Sequence, residues 1–215
     1  MKKSVSNKSL CSGLVAVRQL SLVCSLIVFV CPQMAGKWYL IGFATNAQWF
    51  VSRRDTMKMG TSVFTPTADG DVDISYASLN SDGSCWRLNN LATKTDIPGK
   101  FTYTSQRWGS LNDMRFVEVK SDEYALTQTI KSKGSELTVV NKLYGRAADL
   151  SNDLLVKFKQ FSLDSGVLPE NIVFLPKNGT VLIKALLSSS NSKQRRALLS
   201  NVPFISSVSA ECPAA

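Results

Sequence analysis

Chemistry in this chain has to come from thiols, carboxylates, hydroxyls or an apolar pocket, because its 215 residues include no histidine. That removes the Ser-His-Asp and Cys-His forms of nucleophilic catalysis, in which an imidazole takes the proton of the attacking group. It also removes the commonest zinc ligand, and no Cys-x-x-Cys pair stands in for it. No metal and no cofactor is expected. The five cysteines are Cys11, Cys24, Cys31, Cys85 and Cys212, and only Cys85 falls in the central region. An enzyme built on this chain would need a carboxylate pair, a lone thiol or a borrowed cofactor.

The formal charge of +9 invites a nucleic-acid partner, but its location argues against one. Residues 1–35 carry +4 and residues 179–215 carry +3, which leaves +2 for residues 36–178. No basic stripe with interleaved aromatics is present, so no nucleic-acid partner is expected. Apolar residues make up 44% of the chain and charged residues 19%, the balance of a chain that folds around one core.

The elements that would position any site divide the chain in three. Residues 1–35 read as a signal peptide or signal-like segment: Lys2, Lys3 and Lys8 precede an apolar run, Leu20 to Cys31, too short for a comfortable membrane span. A signal anchor or a buried strand is the alternative there. A cleaved signal implies a secreted, extracellular protein with no stable membrane span.

From Gly36 onward, short β-branched and aromatic runs recur about every ten residues between turn signals. They are 38–44, 57–65, 72–79, 85–95, 101–105, 114–119, 124–130 and 137–144, eight in all. Leu150, Leu154, Leu155, Phe158 and Phe161 then follow at helical spacing, with Asp149 or Ser151 to cap the start and Gly166 to end it. A short run, 172–175, comes after. Strands in series with short connections predict an all-β, eight-stranded antiparallel up-and-down barrel with one C-terminal α-helix packed outside. Closure would remove the sheet's exposed edges and leave room for one small ligand. A two-sheet sandwich fits the same pattern. Residues 180–215 have no clear period, contain the polar run Ser188 to Ser192, and are expected to be an irregular, disordered tail.

Gly36-Lys37-Trp38-Tyr39 heads the first strand, and Leu143-Tyr144-Gly145-Arg146 ends the eighth. Gly-x-Trp at that position, with an arginine after strand eight, resembles the lipocalin family. The likeness extends through Trp49, Lys100–Tyr103, Arg107–Ser110, Asp122–Leu126, Lys142–Arg146 and Pro169–Pro176, and covers about Gly36 to Gly179. Within the family these residues resemble lipocalin-type prostaglandin D synthase and its relative alpha-1-microglobulin. The resemblance implies that Gly36, Trp38 and Arg146 are structural, with Trp38 closing the barrel floor and the guanidinium lying across its ring. It also implies a barrel domain over 36–179, an apolar ligand and a monomer.

The departures bear on function. The synthase isomerises its endoperoxide substrate with a cavity-facing cysteine on the second strand, and the matching position here is Gly60, which has no nucleophile. Ser62 lies two residues on, but without a histidine it is a poor substitute. The microglobulin carries a reactive thiol after the first strand, and the matching position here is Ala47. In the family a cysteine at the Cys85 position pairs with one just after the 172–175 run. No cysteine follows that run until Cys212. Cys85 either pairs with Cys212 through a long tail or stays free, and the free thiol is the expectation. Many lipocalins also carry Thr-Asp-Tyr before strand seven, where this chain has Val119-Lys120-Ser121.

Alternation sends every second strand residue inward. Together with the resemblance it nominates Trp49, Gly60, Ser62, Phe64, Tyr76, Tyr103, Trp108, Phe116, Tyr124 and Tyr144 as cup residues. Aromatics with a few hydroxyls suit a lipid, prostanoid, fatty acid or retinoid. The leading expectation is therefore extracellular binding and transport of a small hydrophobic molecule, without catalysis. The alternative is a prostaglandin-H2 D-isomerase-like enzyme, which Gly60 disfavours. A redox scavenger is disfavoured by Ala47. Asn178-Gly179-Thr180 is a glycosylation sequon on an expected turn.

Overall fold

The structure is a computed structural model and describes residues 33–80, 82–177 and Cys212. The strands are β1 (Gly36–Ala44), β2 (Thr61–Pro66), β3 (Val72–Leu79), β4 (Cys85–Lys94), β5 (Lys100–Ser105), β6 (Ser110–Lys120), β7 (Tyr124–Lys133), β8 (Glu136–Gly145) and β9 (Ile172–Phe174). A short helix, α1 (Gln48–Val51), follows β1, and a longer one, α2 (Asn152–Asp164), follows β8. Two 3-10 turns, Arg54–Thr56 and Pro169–Asn171, complete the set.

Each strand pairs antiparallel with the next from β2 to β8, β8 pairs with β1, and β1 returns to β2, so the eight strands close. The predicted barrel is therefore present, and a sandwich is not. β1 carries the closure. Its first half, Gly36 to Tyr39, faces β2, and its second half, Gly42 to Ala44, takes β9 on that side instead. Against β8 its register shifts between Leu40 and Gly42, a bulge that bends the strand as it changes partner. A β-carbon on Gly42 would lie 2.6 Å from Phe158, so glycine is what lets α2 lie against β1. Phe158 is fully buried in that seam.

The runs read from the sequence all become strands, with some shifts. Met57 to Gly60 lie ahead of β2, where the Met59 N–H donates to the Pro176 carbonyl and the Gly60 carbonyl accepts from the Leu40 N–H, both at 2.9 Å. β6 begins at Ser110, four residues earlier than expected, because Asn112 and Asp113 find ladder partners on both sides. α2 starts after Ser151 as expected, and Gly166 follows its end at φ 79°.

The floor of the barrel is built as the Gly-x-Trp resemblance implies. Trp38 is fully buried and donates its indole N–H to the Met34 carbonyl at 2.8 Å. The Arg146 guanidinium lies 3.7 Å from the centre of the Trp38 ring. The same guanidinium donates to the carbonyls of Ser121, Lys37, Gln33 and Ala35. Arg146 meets the Val119-Lys120-Ser121 stretch through the Ser121 carbonyl oxygen, at 2.7 Å, a contact that any side chain at that position allows. Packing thus reaches back to Gln33, ahead of Gly36.

The expectation of a free Cys85 is corrected. Cys85 and Cys212 form a disulfide with 5.7 Å between their α-carbons. The partner lies 127 residues away, well beyond the position the family uses. Chain length is a weak obstacle, because loop-closure entropy grows only with the logarithm of the loop. The signal-like segment up to residue 32, the rest of the tail and the Asn178 sequon lie outside the described residues.

Candidate functional site

The barrel encloses a cavity of about 780 Å³, open at the end opposite Trp38. That size falls within the range of pockets that hold one small molecule. Part of the room arises at the β4–β5 seam, whose ladder is limited to Thr93 with Thr102 and Lys94 with Phe101. The mouth is partly roofed by the segment after β1. There Phe50 is buried and stacks on Phe43 at 5.1 Å, which holds Trp49 over the opening. Trp49 remains 43% exposed, as suits a rim residue.

Six of the predicted cup residues line the cavity: Trp49, Ser62, Tyr76, Tyr103, Trp108 and Tyr144. Four do not. Phe64 and Phe116 point inward but pack below it, edge to face at 5.8 Å, with Phe101 beside Phe116 and Tyr144 beside Phe64. They form its floor rather than its wall. Gly60 has no side chain to reach the cavity, and the Tyr76 ring covers it. A β-carbon there would lie 2.6 Å from Tyr76 Cζ and 2.7 Å from the Ala77 carbonyl oxygen.

Tyr124 is the clearest misplacement. It faces outward, beneath α2, where its hydroxyl donates to Glu118 and accepts from Lys157 Nζ at 2.9 Å. The phase of β7 explains this. Thr129, Lys131 and Lys133 are the residues that face the cavity, so the even positions carry the apolar side chains outward to the helix. Polarity on β7 is inverted relative to the usual hydrophobic-in rule, and aromatic character alone misjudges it.

The polar wall is what sequence reasoning missed. Arg53, Lys58, Arg107, Lys131, Lys133 and Lys142 line the cavity, against one carboxylate, Glu136. Trp86 was missed as well. Tyr144, Lys142, Val140, Thr138 and Glu136 share one parity on β8, so placing Tyr144 inward already implied the others. The cations sit among rings. Arg107 lies 5.4 Å from the Trp86 ring centre and 5.3 Å from that of Trp108. Lys131 Nζ lies 5.6 Å from both Trp49 and Trp108. Lys142 Nζ lies 5.9 Å from Phe43.

Electrostatics follow from burial. Desolvation pushes the Tyr76 phenol up to about 12, offset in part by the Ser78 hydroxyl. Desolvation likewise raises Tyr144, against the nearby Ser62 hydroxyl, and raises Tyr103, against the charge of Lys142. All three phenols are neutral at physiological pH and can donate hydrogen bonds. Desolvation lowers Lys131, and the charges of Lys142 and Lys133 add to the effect. Among the described residues no group of three or more His, Cys, Asp or Glu side chains is placed to hold a metal.

Comparison with known proteins agrees with this geometry. The family model described as the lipocalin / cytosolic fatty-acid binding protein family matches residues 35–179. A lipocalin of Rhinella marina is 41% identical over 150 residues, covering 70% of this chain and 81% of that protein. Prostaglandin-H2 D-isomerase of Canis lupus familiaris is 34% identical over 143 residues, covering 66% of this chain and 74% of that one. Protein AMBP of Mus musculus is 33% identical over 168 residues, and the match spans 76% of this chain but 48% of AMBP. Among solved structures, that of the siderocalin Ex-FABP superposes with a TM-score of 0.60 at 22% identity, covering 68% of this chain and 96% of that one. On its closed eight-stranded barrel, its Trp38–Arg146 floor and these matches, the chain belongs to the lipocalin family.

Proposed function

We propose that this protein is an extracellular carrier that binds one small hydrophobic molecule in its barrel and does not transform it. The observation that carries the reading is the cavity of about 780 Å³, walled by Trp49, Trp86, Trp108, Tyr76, Tyr103 and Tyr144. Burial of apolar ligand surface there supplies affinity at about 25 cal/mol per Å². The neutral phenols and Ser62 orient a polar group. Catalysis is disfavoured: the sequence resemblance puts Gly60 at the position of the synthase cysteine, and neither histidine nor cysteine is among the residues that line the cavity. Secretion is supported by the signal-like character of residues 1–35, and a monomer by the family resemblance.

Native mass spectrometry of the purified protein tests the reading, with identification of whatever co-elutes. A bound apolar molecule, and quenching of tryptophan fluorescence by lipid probes, are the expected results. No bound molecule together with no quenching overturns the carrier function. An isomerase is the second reading, because relatives at 31–34% identity are prostaglandin-H2 D-isomerases. Turnover of a prostaglandin endoperoxide above the uncatalysed rate would favour it.

A further inference from the structure

The segment that roofs the mouth is built as one piece. Between Thr45 and Met57 the backbone bonds to itself: Phe50 and Val51 donate to the Ala47 carbonyl, Arg53 to that of Phe50, and Met57 to that of Arg54. The hydroxyls of Ser52 and Thr56 add bonds to the Trp49 and Arg53 carbonyls. Its apolar hold on the barrel is the Phe50 ring stacked on Phe43. A segment whose turns are satisfied internally moves as a unit, so its place over the cavity is set by what ties it down.

Asn46 stands near one end of this segment and Arg54 near the other. Asn46 donates to the Gly166 carbonyl and accepts from the Leu168 N–H, both at 2.9 Å, and so grips the chain between α2 and β9. Arg54 reaches the same stretch, donating to the Glu170 carbonyl at 2.7 Å. One side chain joins the two. The Asn171 carboxamide donates through Nδ2 to Asn46 Oδ1 at 3.2 Å and accepts through Oδ1 from Arg54 Nη1 at 2.8 Å. The Asn171 backbone carbonyl also accepts from the Thr45 N–H at 3.4 Å. Asn171 is buried at the end of the 3-10 turn Pro169–Asn171, whose first residue has its φ fixed by the proline ring. A carboxamide carries a donor and an acceptor on one short planar group, which is what serving both ends requires.

We propose that Asn171 is the positioning residue of the mouth: it clamps both ends of the roof segment, holds Trp49 over the opening, and so sets the rates at which a ligand enters and leaves the cup. This rests on the carrier reading and adds a control on its kinetics. Asn46, Arg54 and Asn171 are not among the residues that line the cavity, so their effect on a ligand passes through the roof. Loosening the clamp frees the segment to swing away from Phe43, which widens the path in both directions. Entry and exit then quicken together, and affinity changes less than either rate. A residue that merely supported the packing would act differently: its loss would weaken retention without speeding entry.

The test is stopped-flow fluorescence of Nile red, a neutral apolar probe, with the full-length protein and three variants. Asn171→Ala frees both ends of the roof. Asn171→Asp keeps the acceptor for Arg54 but loses the donor to Asn46. Arg54→Met frees one end at a partly exposed side chain and serves where a substitution at Asn171 does not fold. Association and release are each expected to rise roughly fivefold or more in Asn171→Ala, and by less in the other two, all with native circular dichroism spectra. Unchanged rates in the folded variants, or faster release with unchanged association, overturn the proposal and leave the carrier reading intact. Failure of Nile red to bind the wild type overturns the carrier reading, and the proposal with it.

Discussion

The Tyr76 ring occupies the space that a side chain at Gly60 would need, with its Cζ 2.6 Å from where a β-carbon would stand. The two residues are coupled by this contact: glycine at 60 is what allows the phenol to lie there. Introducing a thiol by Gly60→Cys alone should therefore yield a shielded and strained cysteine. We expect a stability loss of about 1–3 kcal/mol from overpacking, and slow reaction of the thiol with an aromatic disulfide reagent. Gly60→Cys/Tyr76→Ala should react faster, since the ring is gone. Equal labelling rates in the two variants would show that Tyr76 does not shield position 60.

Arg146 closes the floor by two means, its stacking on Trp38 and its bonds to four carbonyls. Removing it leaves those carbonyls without their donor and bares the indole face. Arg146→Ala should lower stability by about 2–4 kcal/mol, read as a shift of the denaturation midpoint. Arg146→Lys should recover only part of this, because an ammonium cannot both stack and span four acceptors. A midpoint unchanged in Arg146→Ala would refute the role.

The disulfide between Cys85 and Cys212 ties the far end of the chain to the start of β4. Its closure of a long loop stabilises mainly by restricting the unfolded chain. Cys85→Ser/Cys212→Ser should cost about 2–5 kcal/mol, with the barrel's far-ultraviolet spectrum retained. Peptide mapping without reduction should recover the two cysteines in one linked fragment.

The eight runs were legible because each strand is short, half-buried and ended by a turn residue. The floor was legible because Trp38 and Arg146 hold fixed places in the fold. The cavity wall was legible only in part. Tyr76, Tyr103 and Tyr144 obey the expectation that aromatics face inward, and Tyr124 breaks it because α2 buries the outer face of β7. Once a helix covers the outside, apolar character no longer marks the inside. Lys131 and Lys142 were passed over because charged residues on strands read as solvent-facing, although the parity of Tyr144 already turned Lys142 inward. Cys85 was misjudged because its partner was sought at the family's spacing.

The three buried phenols make a pH prediction of their own. Tyr76, Tyr103 and Tyr144 are all raised by desolvation. A raised phenol favours the neutral, folded form; its contribution is fully present below the unfolded value of about 10 and is lost as pH rises toward the folded one. Spectrophotometric titration should show a fraction of the five tyrosines that resists ionisation at about pH 10.5–11 in the native protein and titrates with the rest, at pH ~10, in denaturant. Ligand in the cup should hold that fraction back further. Ionisation of all five along a single curve with its midpoint at about pH 10 in the folded protein would contradict the buried wall.

On the outer face, Glu118 joins Tyr124 to Lys157 and so couples β6 and β7 to α2. Burial pushes the Glu118 carboxyl up, but the bonds from Lys157 and Tyr124 and the charges of Lys157 and Lys120 hold it below its ordinary value. A depressed carboxyl contributes stability above its unfolded pKa of ~4.3 and loses it as pH falls through the folded value. Lys157 is raised, chiefly by its bonds to Glu118 and Tyr124, so its share is present below ~10.4 and fades as pH rises further. Both side chains are partly exposed, so the pair is worth at most ~1 kcal/mol after screening. Wild type should melt above Glu118→Gln between these limits, and the gap should close in acid and in strong alkali. A gap of constant size across the acid range would mean that the carboxylate charge is not what couples the helix to the barrel.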